Sequence, residues 1–266
     1  MSYLVDCHSH INEFDNVEIP NILNRALQSE VSKIVVAGTT LETSKQCANM
    51  AKEFDQLFCG IGIHPMDIKF PLTEQTITEL IKITNLTEKV AVVSEVGLDF
   101  LDGMPDREWQ YNAFRLQIRM AKTLKLPIIF HSREADNETL RILKEEQAFE
   151  VGGAMHYFQG DEALAKKVID MGFFISLARP LTRLEKLQQV VSTISLDHMV
   201  LESDSAPQPF KSKRENWTEP KHIKDIANTI SNIHKVEYDE VKRTTCNNIL
   251  ELLPKLKNNY GRMTNA

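Results

Sequence analysis

At 266 residues the chain has room for one α/β barrel of about 250 residues or for two small domains. Its 42% hydrophobic and 26% charged residues exclude intrinsic disorder, collagen and a disulfide scaffold as global descriptions. A formal net charge of −6, from 37 acids against 31 bases, argues against a broad basic surface for nucleic acid. It leaves room for a small cationic site, or for a metal ion facing a phosphate.

The chain opens on MSYLVDCHSH, with no basic segment and no long apolar one, so no signal peptide is predicted. No run approaches about 18 uninterrupted apolar residues, so no membrane span is predicted either. A first apolar run, 3–6, leads into His8 and His10. A helical pattern over 22–30 precedes the run 33–37, and one over 41–54 precedes 57–61, which His64 follows in GIGIHP. A helix over 73–84 leads to the run 90–94, closed by Glu95 in VVSEVGLD. The clearest helix, 106–124, repeats Trp109, Ala113, Leu116, Met120 and Leu124 at spacings of three and four. After it come 127–130, ended by His131, then a helix over 135–147 and 151–155, ended by His156. A helix over 161–170, a run at 173–176, a helix over 184–193 and a run at 198–201 lead to Asp204 in VLESDSAP. Helical patterns at 220–233 and 238–253 finish the chain, and periodicity is lost from Lys255.

Continuous apolar cores such as IVVAG, AVVS and PIIF suit parallel strands covered on both faces. Eight of them alternating with helices predict a (β/α)8 TIM barrel over 1–254, or a large doubly wound sheet, with a frayed tail over 255–266. The cysteines Cys7, Cys47, Cys59 and Cys246 form no CxxC pair, which predicts a reduced, cytoplasmic protein.

Of eight histidines, five fall at strand ends: His8, His10, His64, His131 and His156. In a barrel those ends meet at one mouth. Glu95 and Asp204 would join them there. Imidazole and carboxylate are the usual ligands of Zn²⁺, Mn²⁺ and similar divalent ions. Residues two apart in a strand point the same way, so His8 and His10 can grip one ion. The apolar runs mark the strands independently of the histidines, so the coincidence of the two predicts a metal site.

The ordered set DCHSH, SEVGLDF, REWQYNAFRLQIRMAK, LPIIFHSREA, MHYFQG and LESDSAP resembles the TatD family of metal-dependent deoxyribonucleases, within the amidohydrolase-like barrels. The resemblance runs from about Val5 to Leu253. It implies a TIM-type barrel with divalent ions at its mouth, expected to be two. By motif position, His8 and His10 would bind the first ion and Glu95 would bridge both. His131 and His156 would bind the second. Asp204 would ligate the first and position or deprotonate the attacking water, and His64 would lie near the substrate phosphate. Some positions depart from the pattern. Ser94 replaces a glycine, Tyr157 replaces a frequent cysteine, ESDSAP is longer by one before Pro207, and 216–220 reads NWTEP where N-x-P is usual. No implied ligand is lost, and the departures mark a divergent branch.

The residue chemistry agrees with these roles. A divalent ion lowers the pKa of water and neutralises phosphoryl oxygens, and Mg²⁺, Mn²⁺ and Zn²⁺ all suit the donor set. Glu95 suits the bridge because a carboxylate has two ligating oxygens. Asp204 suits the base. Asp6 is read either as an acceptor that orients His8 or as a buried acid bonded to backbone. Arg133 and Arg179 are candidate phosphate contacts. The loop 206–217 carries Lys211, Lys213 and Arg214 beside Phe210 and Trp217, which suits a strand held by charge and stacking, or else a solvated loop with Trp217 packed on the barrel. A negative chain fits an exonuclease on single-stranded DNA ends better than a duplex-wrapping enzyme. The alternatives are a small-molecule amidohydrolase or esterase with the same metals, and a nuclease subunit of a larger assembly, as in some anti-phage gene clusters with a TatD-like component. Otherwise a monomer is expected.

Overall fold

The apolar runs become strands of one sheet. The structure, a computed structural model, describes residues 2–259. The strands are β1 (Leu4–Ser9), β2 (Val31–Ala37), β3 (Leu57–Ile61), β4 (Val90–Asp99), β5 (Ile128–Arg133), β6 (Gly153–Met155), β7 (Phe174–Leu177) and β8 (Met199–Leu201). Neighbours in sequence pair in parallel around the whole sheet. The helices are α1 (Ile19–Gln28), α2 (Leu41–Glu53), α3 (Glu74–Ile83), α4 (Arg107–Leu124), α5 (Asp136–Glu145), α6 (Glu162–Asp170), α7 (Glu185–Val191), α8 (Ile223–His234) and α9 (Tyr238–Leu252). This is the (β/α)8 TIM barrel. Its ring closes at the mouth, where Asp204 N–H donates to the His8 carbonyl at 3.0 Å and His10 N–H to the Ser205 carbonyl at 2.8 Å.

One apolar cluster lies between sheet and helices; a second, with Val5, Cys7, Val35, Phe58, Val92, Ile129 and Val200, fills the barrel. Leu253 and Leu256 are fully buried in that inner cluster. The expected fraying from Lys255 is therefore corrected for its first residues. A 3₁₀ turn spans Pro254–Asn259, Lys255 Nζ donates to the Val90 carbonyl at 2.8 Å, and Lys33 Nζ reaches the carbonyl of Leu256. The rest of that tail, 260–266, lies outside the described residues.

β1, β4 and β5 run past their apolar cores into the polar residues that carry the chemistry. The register of β1 against β2 shifts between Asp6 and Ser9. Strict alternation fails there: Cys7 joins the inner cluster, while His8 and His10 both reach the mouth. Helix α1 starts earlier than its periodicity suggested, with Pro20 in its first turn, where a missing N–H costs nothing. All four cysteines are free and buried, and among the described residues no helix is long and apolar enough to cross a membrane.

Candidate metal centre

The strand ends place Glu95 under a cavity of about 600 Å³ with imidazoles on both sides. Glu95 Oε2 lies 3.3 Å from His8 Nε2 and 3.5 Å from His10 Nε2. Its other oxygen, Oε1, lies 3.0 Å from His131 Nδ1, 3.2 Å from His64 Nε2 and 3.4 Å from His156 Nε2. Asp204 Oδ1 is 3.4 Å from His10 Nε2 and 3.9 Å from His156 Nε2. Donor atoms of three sets converge closely enough to share an ion: His8, His10 and Glu95; His8, His156 and Asp204; His64, Glu95 and His131.

Four rings are anchored through one nitrogen and turn the other inward. His10 Nδ1 faces the Ala37 carbonyl at 3.3 Å, so it carries the proton and leaves Nε2 to the centre. His131 holds Asp99 Oδ2 at 3.0 Å through Nε2 and presents Nδ1. His156 holds Glu202 Oε2 at 3.0 Å through Nδ1 and presents Nε2. His8 lies against Ser94 Oγ, 3.1 Å from Nδ1, and presents Nε2. Carboxylate or carbonyl behind a histidine, with the free nitrogen aimed at a shared point, is how proteins orient metal-ligating imidazoles. The residues present therefore fit divalent ions, with Glu95 offering one oxygen to each side.

His64 differs. Its Nδ1 accepts the Met66 backbone N–H at 3.1 Å, so in the neutral ring the proton sits on Nε2, facing the centre. In that tautomer Nε2 donates towards Glu95 Oε1, 3.2 Å away.

The charges are coupled. Burial would raise Glu95, but His156 and His64 hold it well below the usual carboxylate range. Burial opposes protonation of His156, yet Glu202 and Glu95 lift it to about 10. Burial also opposes charge on His10, and Asp204 and Glu95 carry it well above the ordinary histidine value. His8 is pushed down by burial and by His156. Asp204 is drawn down to about 2, its burial outweighed by His10 and His156. Its backbone sits in the left-handed region, φ 47°, a conformation rare outside glycine and common at functional sites. Its side chain is 27% exposed against 5% for Glu95, so Asp204 is the carboxylate that meets the cavity.

The other predicted residues divide. Arg133 lines the cavity, its Nη1 3.6 Å from Asp99 Oδ2. Arg179, Lys211 and Lys213 do not line it. Arg179 Nη1 donates to the Asn216 carbonyl and Thr218 Oγ1, at 3.4 and 3.2 Å. Lys211 Nζ donates to the same Asn216 carbonyl at 3.1 Å, and Lys213 Nζ lies 4.0 Å from Glu215. Trp217 takes the packed alternative, its ring 5.9 Å from that of Phe14 with the Arg214 guanidinium 4.7 Å away. Asp6 is the backbone-bonded acid: it accepts from Ser203 N at 2.8 Å, from the Ser203 hydroxyl, and from the His8 backbone N–H at 3.4 Å. Burial pushes it up to about 8.

Sequence reasoning missed Asp99, Glu202 and the positive role of Ser94. Asp99 and Glu202 are acids close to named ligands, and that nearness was the available signal.

A family model described as TatD related DNase matches residues 5–254. The uncharacterized metal-dependent hydrolase YabD of Bacillus subtilis is 34% identical over 255 residues, 94% of this chain and 98% of that protein. Human deoxyribonuclease TATDN3 is 29% identical over 268 residues, 96% of each chain. Among solved structures, the TatD homologue YJJV of Escherichia coli superposes with a TM-score of 0.85 at 25% identity, covering 94% of this chain and 98% of that one.

Proposed function

The chain belongs to the family of TatD-related DNases, and from that premise we propose that it hydrolyses phosphodiester bonds at the ends of single-stranded DNA. It is a metal-dependent hydrolase. The observation that carries the finer reading is Glu95, whose two oxygens face separate sets of imidazoles beneath one open cavity. Bound there, divalent ions supply Lewis-acid activation of water and neutralise charge on phosphoryl oxygens.

The chain's own residues then have defined tasks. Asp204 is the carboxylate that reaches the cavity, so it is placed to accept the proton of the attacking water. His64 donates from Nε2 to a non-bridging oxygen. Arg133, half exposed at the cavity wall, offers further N–H groups to the same phosphate. Asp99 and Glu202 keep His131 and His156 turned inward. A net charge of −6 supports capture of a strand end over coating of a duplex.

The test is a substrate panel with Mg²⁺ or Mn²⁺: single-stranded and duplex DNA, lactones and amides, each with wild type and with His131→Ala and Asp204→Ala. Cleavage of single strands from their ends, lost in both variants, is the expected result. Turnover of amides or lactones without DNA cleavage would replace this reading with the small-molecule one.

A further inference from the structure

The mouth of the barrel is electrically divided. On the side of the loops after β3 and β5 the cavity is lined by Asp67, Glu134 and Asp136. Arg133, which stands among them, leans on Asp99.

The loops after β7 and β8 are different. Arg179 and Lys211 donate to one and the same carbonyl oxygen, that of Asn216, so the two cations are held as neighbours. Arg183 lies one turn beyond Arg179 and is exposed. Burial, then the charges of Arg179 and Arg183, push the Lys211 amine below its ordinary value. Among the described residues none of these three cations has a carboxylate partner. The contrast within the same loop is Arg214, which is taken up by Glu18 and Glu219. Arg179 uses only Nη1 in its contacts, so its Nε and Nη2 are left to donate. Holding like charges together without a counter-charge is unfavourable, and an anion relieves it. Two aromatic rings flank the cluster. Phe210, next to Lys211, is 80% exposed, and Tyr157 lines the cavity, near enough to Asp204 and to Arg183 to feel the charge of both.

Resting on the DNase reading, we propose that Arg179, Arg183 and Lys211 bind the phosphate next to the scissile one. The strand leaves the metal centre over Tyr157 towards the β7–β8 side and away from the acidic side. Guanidinium and ammonium groups supply charge-assisted hydrogen bonds to that phosphate. Phe210 offers a stacking face for the adjoining base.

The experiment compares a thymidine dinucleotide, which has only the scissile phosphate, with a thymidine hexanucleotide. Wild type, Arg183→Gln, and Arg183→Gln with Lys211→Gln are assayed with Mn²⁺. Among the described residues the Arg183 side chain has no hydrogen bond or ion pair to lose, so its substitution spares the fold. Wild type is expected to prefer the hexanucleotide, and the ratio of the two kcat/KM values to fall about tenfold in the double variant. The salt dependence for the hexanucleotide should flatten by about 0.7 in log–log slope per cation removed. Unchanged ratio and slope in the variants would overturn the site. Wild type that cleaves both substrates with no length preference would overturn it too, while leaving the DNase reading standing. Wild type that cleaves neither would remove both.

Discussion

Each imidazole around Glu95 is useful only because something holds its other nitrogen. Asp99 does this for His131 and Glu202 for His156, and both carboxylates are fully buried. Replacing either with its amide keeps the shape and removes the anionic acceptor. Asp99→Asn and Glu202→Gln are each expected to weaken metal binding about 10–100-fold, measured by calorimetric titration of the metal-free protein. Wild-type affinity in both would show that the rings need no such support. The candidate ligands His8, His10, Glu95, His131, His156 and Asp204 were legible because each lies at or just after the end of a run that reads as a strand. Asp99 was not, because its meeting with His131 depends on the β4–β5 register, in which Gly97 stands opposite His131 and Asp99 opposite Arg133. One sequence carries no such pairing. Ser94 read as a departure from a pattern, and only its 3.1 Å contact with His8 gives it a role.

At the scale of elements, β4 and β5 approach so closely that only glycine fits at position 97. A Cβ there would sit 2.0 Å from the His131 carbonyl oxygen, and its φ of 145° disfavours any side chain. Gly97→Ala is expected to cost about 2 kcal/mol or more and to lower metal content, because the strand bearing Glu95 must shift against the one bearing His131. Denaturant unfolding with metal analysis checks both. A second joint ties the turn after α1 to α8 and α9. Lys242, then Lys224 and Tyr238, hold Glu30 at about 2, against a modest burial penalty. A folded value below the unfolded one means stability that is present at neutral pH and lost as pH falls from about 4.5 to about 2. The Glu30 side chain is 37% exposed, so solvent screening cuts the effect, and Glu30→Gln should cost about 1 kcal/mol at neutral pH. Near pH 2 the difference should vanish; an equal cost at both pH values would refute the ion-pair account. The loop 206–217 shows where sequence reading stops. Its basic and aromatic content was visible, but which charges are neutralised was not. Arg214 is tied to Glu18 and Glu219, while Lys211 meets only a carbonyl.

For the whole molecule, the candidate ligands come from β1 and from the segment after β8 as well as from the strands between, so the centre forms only when the ring closes. Ion binding should therefore stabilise the entire fold. At a metal concentration one hundredfold above Kd the gain is about 2.7 kcal/mol, read as a rise in Tm that a chelator reverses and that His131→Ala reduces. No rise in wild type would separate the centre from the fold. The length had allowed one barrel or two small domains, and this closure explains why the alternation of runs read correctly as a barrel. The charge of −6 was legible as a sum but not as a map; the acidic and cationic sides of the mouth emerge only once the loops are placed.

The central claim is that DNA ends are hydrolysed at the Glu95 centre by Asp204 and its neighbours. The most direct measurement is the rate of nucleotide release from an end-labelled single strand by Mn²⁺-loaded wild type, Glu95→Gln and Asp204→Asn purified in parallel. The account predicts release by wild type and a loss of at least about a hundredfold in each variant. Equal release by all three proteins would contradict it.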